Sequence, residues 1–120
     1  MSPADEQLSE PVDAAAEMED VAWAMEMLNE ATVLDVRHVR SSWAGLRTFT
    51  ADRVPAVGWD PEVPGFCWLV GQGGSGIKTA PAMAAAVAAI VADAPWPAAL
   101  TEVDVGPESL SPARLRAVAK

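Results

Sequence analysis

The 120-residue chain has no tyrosine, one cysteine and one histidine. Cys67 on its own builds no internal disulfide framework, and a single Cys and a single His far apart give no zinc spacing, so no metal site is expected. Flanked by Phe66 and Trp68, Cys67 reads as a packed, inert thiol. The first 30 residues carry nine acids and no base, which accounts for the whole formal net charge of −9. From Ala31 onward eight acids balance eight bases, so no basic patch for nucleic acid is expected. The start has no basic segment followed by an apolar core, hence no signal peptide. The longest apolar stretch, 80–92, falls short of the roughly 20 residues a membrane span needs. A soluble cytoplasmic protein is the expectation.

What is present is apolar enough to fold. Hydrophobic residues make up 51% of the chain, its length allows one modest core, and the five Trp are expected to be large buried rings. Residues 1–12, rich in Asp, Glu, Ser and Pro, read as a disordered acidic arm. Asp13 is a candidate cap for a helix over 14–29, with Met18, Val21, Met25 and Leu28 on one apolar face. Thr32 to Arg40 and Trp43 to Thr50 read as strands. In the second, Trp43, Gly45, Arg47 and Phe49 share a face. Ala51-Asp52-Arg53 turns the chain, Val54 to Trp59 returns as a strand, and Asp60 to Gly65 is a loop. Phe66 to Val70 is wholly apolar, as a strand buried on both faces would be. A helix is predicted from Thr79 to about Asp93, with Pro81 in its first turn, and Ala94 to Ala98 stops it. Residues 94–120 read as an irregular tail with one short helix at 113–118. The fold class is α+β, with a main body at 13–93.

Between the apolar strand and that helix lies Gly71-Gln72-Gly73-Gly74-Ser75-Gly76, which matches G-x-G-x-x-G. A dinucleotide-binding first turn would open a βαβ unit with an acid about 20 residues on, and here the helix runs into Ala94-Pro95-Trp96-Pro97 instead. A phosphate-binding P-loop fails as well, because Ile77 separates Gly76 from Lys78 and turns the lysine by about 100°. What remains is general: glycines admit close backbone approach, and a helix N-terminus favours negative charge. The same glycines would also serve a tight turn that needs them only for backbone angles.

Arg47 is expected to be buried between Trp43 and Phe49. A guanidinium keeps its charge, so it then needs an anion. An internal acid such as Asp52 or Asp35 would serve, and so would the carboxylate of a ligand, which the planar fork matches at two points. His38, between Arg37 and Arg40, reads as a surface or packed residue and not as a base.

The run from Ser42 to Met83, SWAGLRTFTADRVPAVGWDPEVPGFCWLVGQGGSGIKTAPAM, resembles the C-terminal signature of the FAD-dependent D-amino-acid oxidase-like family. D-arginine dehydrogenase-like and glycine oxidase-like members look most similar. The resemblance implies the C-terminal portion of that FAD-binding fold. Arg47 would bind the substrate α-carboxylate, while Gln72, Gly73, Gly74, Ser75, Gly76, Ile77 and Lys78 would line the flavin. It further implies hydride removal from an amino acid or amine, the imine product then hydrolysing. No catalytic side chain is assigned in this chain.

Two positions depart from the family pattern: Ser75 stands where many members carry an aromatic, and Lys78 where Gln is common. No G-x-G-x-x-G precedes Gly71 to hold the ADP half of FAD. The chain is therefore expected to be a C-terminal part, working with a separately encoded N-terminal FAD-binding part. The alternative is a non-catalytic remnant or small interaction protein that no longer binds FAD.

Overall fold

The computed structural model describes residues 1–4 and 7–116. The chain divides into two compact units, Met1–Leu46 and Arg47–Lys120.

In the first unit, α1 spans Met18–Ala31. It begins after the expected 14–29 start, with Glu17 in place of Asp13 at the N-cap and no side-chain cap bond. Glu19 and Asp20 in its first turn suit the positive end of the helix dipole. Val21, Met25 and Leu28 are half-buried, but Met18 is exposed and so does not join their face. The strand expected at Thr32 to Arg40 does not form. Asn29 clasps this segment instead: its Nδ2 donates to Val36 O (2.9 Å) and its Oδ1 accepts from Val36 N (2.6 Å). β-branched residues favour a strand only when a neighbouring strand pairs with them, and none does here.

The second unit is built on a hairpin. β1, Ala56–Trp59, pairs antiparallel with β2, Cys67–Val70, with Val57 opposite Leu69. Asp60 shapes the connecting loop. Its Oδ1 accepts from the Glu62 and Val63 amides (2.7 and 2.9 Å), and its Oδ2 accepts from Trp68 Nε1 (2.7 Å). This is the local hydrogen bonding by which aspartate favours turns. Trp68 also meets Phe66 edge to face at 4.8 Å.

β1 is the covered strand, with Ala56, Val57 and Gly58 buried; β2 is half-buried at Cys67 and Trp68 and exposed at Leu69 and Val70. That reverses the expectation for Phe66 to Val70. α2 and α4 pack on β1, and Leu69 and Val70 of β2 stay exposed.

α2, Gly76–Val91, lies against the hairpin through Met83, Ala86 and Ala89. It starts three residues before the expected Thr79, so Pro81 sits inside it and not in its first turn. A 3₁₀ turn, Gly73–Ser75, leads into it. The helical run Gly73–Val91, 19 residues of mean hydropathy 1.3, is long and apolar enough by length and composition to cross a membrane. It exceeds the apolar stretch read from the sequence because it starts within the glycine loop. Its Met83/Ala86/Ala89 stripe is covered by the described residues, while most of the run is not buried.

The segment read as an irregular tail contains three one-turn helices: α3 Ala98–Thr101, α4 Pro107–Leu110 and α5 Ala113–Arg116. The expected helix end at 117–118 lies outside the described residues. Leu100 and Leu110 join Val57, Met83 and Ala86 in the core cluster. Burying a leucine in this way contributes about 1.5–3 kcal/mol. Trp96 packs against that cluster and donates Nε1 to Val105 O (2.8 Å). No Trp is fully buried: Trp23, Trp43 and Trp59 are exposed, and Trp68 and Trp96 half-buried. The core is filled by smaller aliphatics. The described chain is thus α+β, with one two-stranded sheet and five α-helical segments.

Candidate flavin site

Among the described residues, only the end of the second expected strand, Trp43 to Thr50, forms a β-bridge. Phe49 forms an isolated antiparallel bridge with Gln72, and Gly73 N donates to Thr48 O (3.1 Å). Arg47 to Thr50 therefore lie as an arm along the glycine loop. The turn at Ala51-Asp52-Arg53 forms as expected, closed by Arg53 N to Thr50 O (3.0 Å).

The glycines divide by what a side chain would meet. Gly71 (φ +77) has Thr50 Cγ2 2.7 Å from the place of a Cβ. Gly73 (φ +54) has Phe49 Cδ1 at 2.8 Å from that place. Both are committed to packing the arm, in backbone conformations that only glycine adopts freely. Gly74 and Gly76 are different. A Cβ on Gly74 would meet only Arg47, with Nη1 at 3.2 Å, and one on Gly76 would make an ordinary 3.6 Å contact with Gln72 Cβ. Internal packing therefore explains the first two glycines and leaves Gly76, and Gly74 apart from the Arg47 side chain, open to a neighbour outside the chain.

Arg47 is exposed, contrary to the expected burial: among the described residues the arm has a β-bridge only near its end, and no sheet covers it. Its Cζ lies 5.8 Å from the Phe49 ring centroid, within cation–π range, and Arg53 Cζ lies 5.1 Å from the same centroid. Asp35 pairs with Arg37 Nη2 (2.6 Å) and Asp52 with Arg114 Nε (2.8 Å).

Arg47, Gly73, Gly74, Ser75, Gly76, Ile77 and Lys78 line one open cleft of about 480 Å³. All the charged residues in this lining are basic. The N-terminus of α2 lies in the lining too, with no side-chain cap bond and no acid in its first turn. Ser75 O is taken by Thr79 Oγ1 (2.9 Å). Two cations and a positive helix end around glycine backbone make a cradle for an anionic or electron-accepting group.

The family model described as FAD dependent oxidoreductase matches residues 3–90. The chain belongs to that family. Its cofactor is FAD, and oxidoreductase chemistry is the family's activity. The match covers the arm, the hairpin and the cleft and ends within α2, so α3, α4 and α5 lie beyond it. A dinucleotide-binding βαβ unit is not formed among the described residues, since α2 is followed by the short helices α3, α4 and α5 and by no strand that could pair with β2.

A flavin would fit here on one specific observation: Gly76 presents backbone to the cleft without an internal packing reason, and Gly74 with only the Arg47 side chain against it, beside a helix N-terminus that has no side-chain cap bond. Gln72 is half-buried and pairs with Phe49 through the β-bridge, outside the cleft lining. Ile77 is 96% exposed. An isoleucine so placed has an apolar surface to offer a planar ring, a signal that composition and periodicity did not carry. Among the described residues no cluster of His, Cys, Asp and Glu forms a metal site.

Proposed function

We propose that this chain supplies two parts of an FAD-dependent amino-acid or amine oxidoreductase: the arginine that grips the substrate carboxylate, and the backbone loop that contacts the flavin. The observation that carries this reading is that Arg47 and the N-terminal residues of α2 line the same cleft. Bound FAD would supply the two-electron acceptor, taking a hydride from the substrate α-carbon.

In this reading Arg47 presents its planar fork to the α-carboxylate and fixes the orientation of the α-carbon. Gly74 and Gly76 let the ring approach the backbone, and Ile77 covers part of one side. Gln72, Gly73 and Ser75 hold the loop's course. The amides and dipole at the start of α2, with Lys78 near them, stabilise negative charge on the nearby edge of the cofactor. No side chain here is assigned as an acid or base.

The ADP half of FAD would be bound by the N-terminal part of such an FAD-binding fold, with the cytoplasm as the proposed compartment. D-arginine dehydrogenase-like or glycine oxidase-like chemistry is the proposed subclass. FAD titration of the purified chain tests the reading, and a folded chain indifferent to FAD would leave a non-catalytic remnant in its place.

A further inference from the structure

Arg114 lies outside the family-matched residues, yet it is tied to the site's supporting turn. All five of its guanidinium N–H groups find acceptors. Nε donates to Asp52 Oδ2 (2.8 Å) and Nη2 to Asp52 Oδ1 (3.2 Å), a two-point pair. Nη2 also donates to Val54 O, and Nη1 to Leu110 O (2.8 Å) and Ser111 O (2.9 Å). The side chain is 18% exposed. One residue thus joins the end of α4 to both sides of the turn after the arm.

Asp52, on its other side, organises that turn. Its Oδ1 accepts from Val54 N (3.1 Å) and lies 3.0 Å from Thr50 Oγ1. Thr50 in turn packs on Gly71, and Arg53 folds over Phe49, whose ring covers Gly73. The arm has a single β-bridge to the loop, so its register depends on how the turn is held. Pro112, buried against Gly58 with Cδ 3.1 Å from the place of a Cβ, anchors the tail beside this pair.

We propose that Arg114 is a positioning residue for the candidate flavin and carboxylate site: it clamps the 50–54 turn and so holds Arg47 to Thr50 in place along the glycine loop. The inference rests on the functional reading above for what the site binds, but the clamp itself is a mechanical claim about this chain. The route is a continuous series of contacts, Arg114 to Asp52, Thr50 and Arg53, then Gly71, Phe49 and Gly73.

The test compares the full chain with Arg114→Met and Asp52→Asn, the second retaining fold if the first does not. Residue-resolved amide exchange is measured first. The clamp predicts that the Gly73 and Arg53 amides exchange about tenfold faster or more, while core-helix amides such as Ala89 change by less than about twofold. A uniform change in all amides, or an unchanged Gly73, overturns it, because a residue of merely structural worth lowers protection everywhere. FAD titration follows on the same samples. Weaker binding in both variants supports the positioning role; equal binding by variants and wild type overturns that role alone. A wild-type chain that takes no FAD overturns the functional reading, and with it the role toward flavin. The amide pattern then still decides whether the clamp holds the arm.

Discussion

Arg47 and Gly74 are in contact range across the cleft, with the place of a Gly74 Cβ 3.2 Å from Arg47 Nη1. The loop residue is glycine at the one point where the arginine leans on the backbone. Gly74→Val therefore pushes on Arg47 and blocks approach from the cleft. We expect FAD retention to fall about tenfold or more with little change in melting temperature, checked by equilibrium dialysis and thermal unfolding.

Gly76→Ala separates packing from ligand approach. Its Cβ would make only an ordinary contact, and alanine in a helix is favoured over glycine by up to about 1 kcal/mol. Stability of the free chain should rise while FAD binding weakens. Gly73→Ala should do the opposite to stability: its positive φ and the Phe49 ring together cost about 1–3 kcal/mol. Chemical denaturation of the three proteins gives the order.

Arg47→Met in a flavin-loaded enzyme should weaken substrate far more than cofactor. A charge-assisted hydrogen bond is worth about 1.5–3 kcal/mol, so KM for a carboxylate substrate should rise about tenfold to a hundredfold. FAD affinity should change by less than about threefold. Equal losses of both would assign Arg47 to the loop's structure.

Leu110→Ala tests whether the tail belongs to the core. Leu110 is 3% exposed beside Val57 and Met83, and such truncations cost about 2–5 kcal/mol. Against a total stability of about 5–15 kcal/mol this is a large fraction, visible as a shift in urea midpoint. An unchanged midpoint would detach the tail from the folded unit.

Acid should destabilise the second unit through two carboxylates. Asp52 is held well below the usual carboxylate range by hydrogen bonding from Arg114, helped by the Val54 amide, and Asp60 is lowered by the Trp68 indole. Their folded pKa values lie below the unfolded ones, so their contribution is complete above about pH 4 and is lost as pH falls toward the folded values. Melting temperature should drop more steeply below about pH 4 in wild type than in Asp52→Asn. Equal slopes would remove Asp52 from the acid response.

The two strands, the Asp60–Gly65 loop and the Asp52 turn were legible in the sequence, the loop and the turn because each carries its own local hydrogen-bonding residues; the pairing of the two strands with each other was not. The glycine loop and Arg47 were legible as neighbours, and the structure brings them to one cleft. Arg47's exposure was not, because burial of a strand depends on partners that periodicity cannot see. The same holds for Thr32 to Arg40. The one-turn helices of the tail show no hydrophobic period, being shorter than the pattern that would announce them. Pro81 misled by marking a helix start: α2 begins earlier, at Gly76. Of Arg114 the sequence showed only a base in a short tail, since its partner Asp52 is 62 residues away.

The central claim is that this chain makes a flavin-contacting surface, and the most direct measurement is titration of the purified chain with FAD, followed by flavin fluorescence and thermal stability. The account predicts saturable binding with a rise in melting temperature, lost in Gly74→Val and kept in Arg47→Met. A cooperative melt unmoved by FAD, with no change in flavin fluorescence, would contradict it.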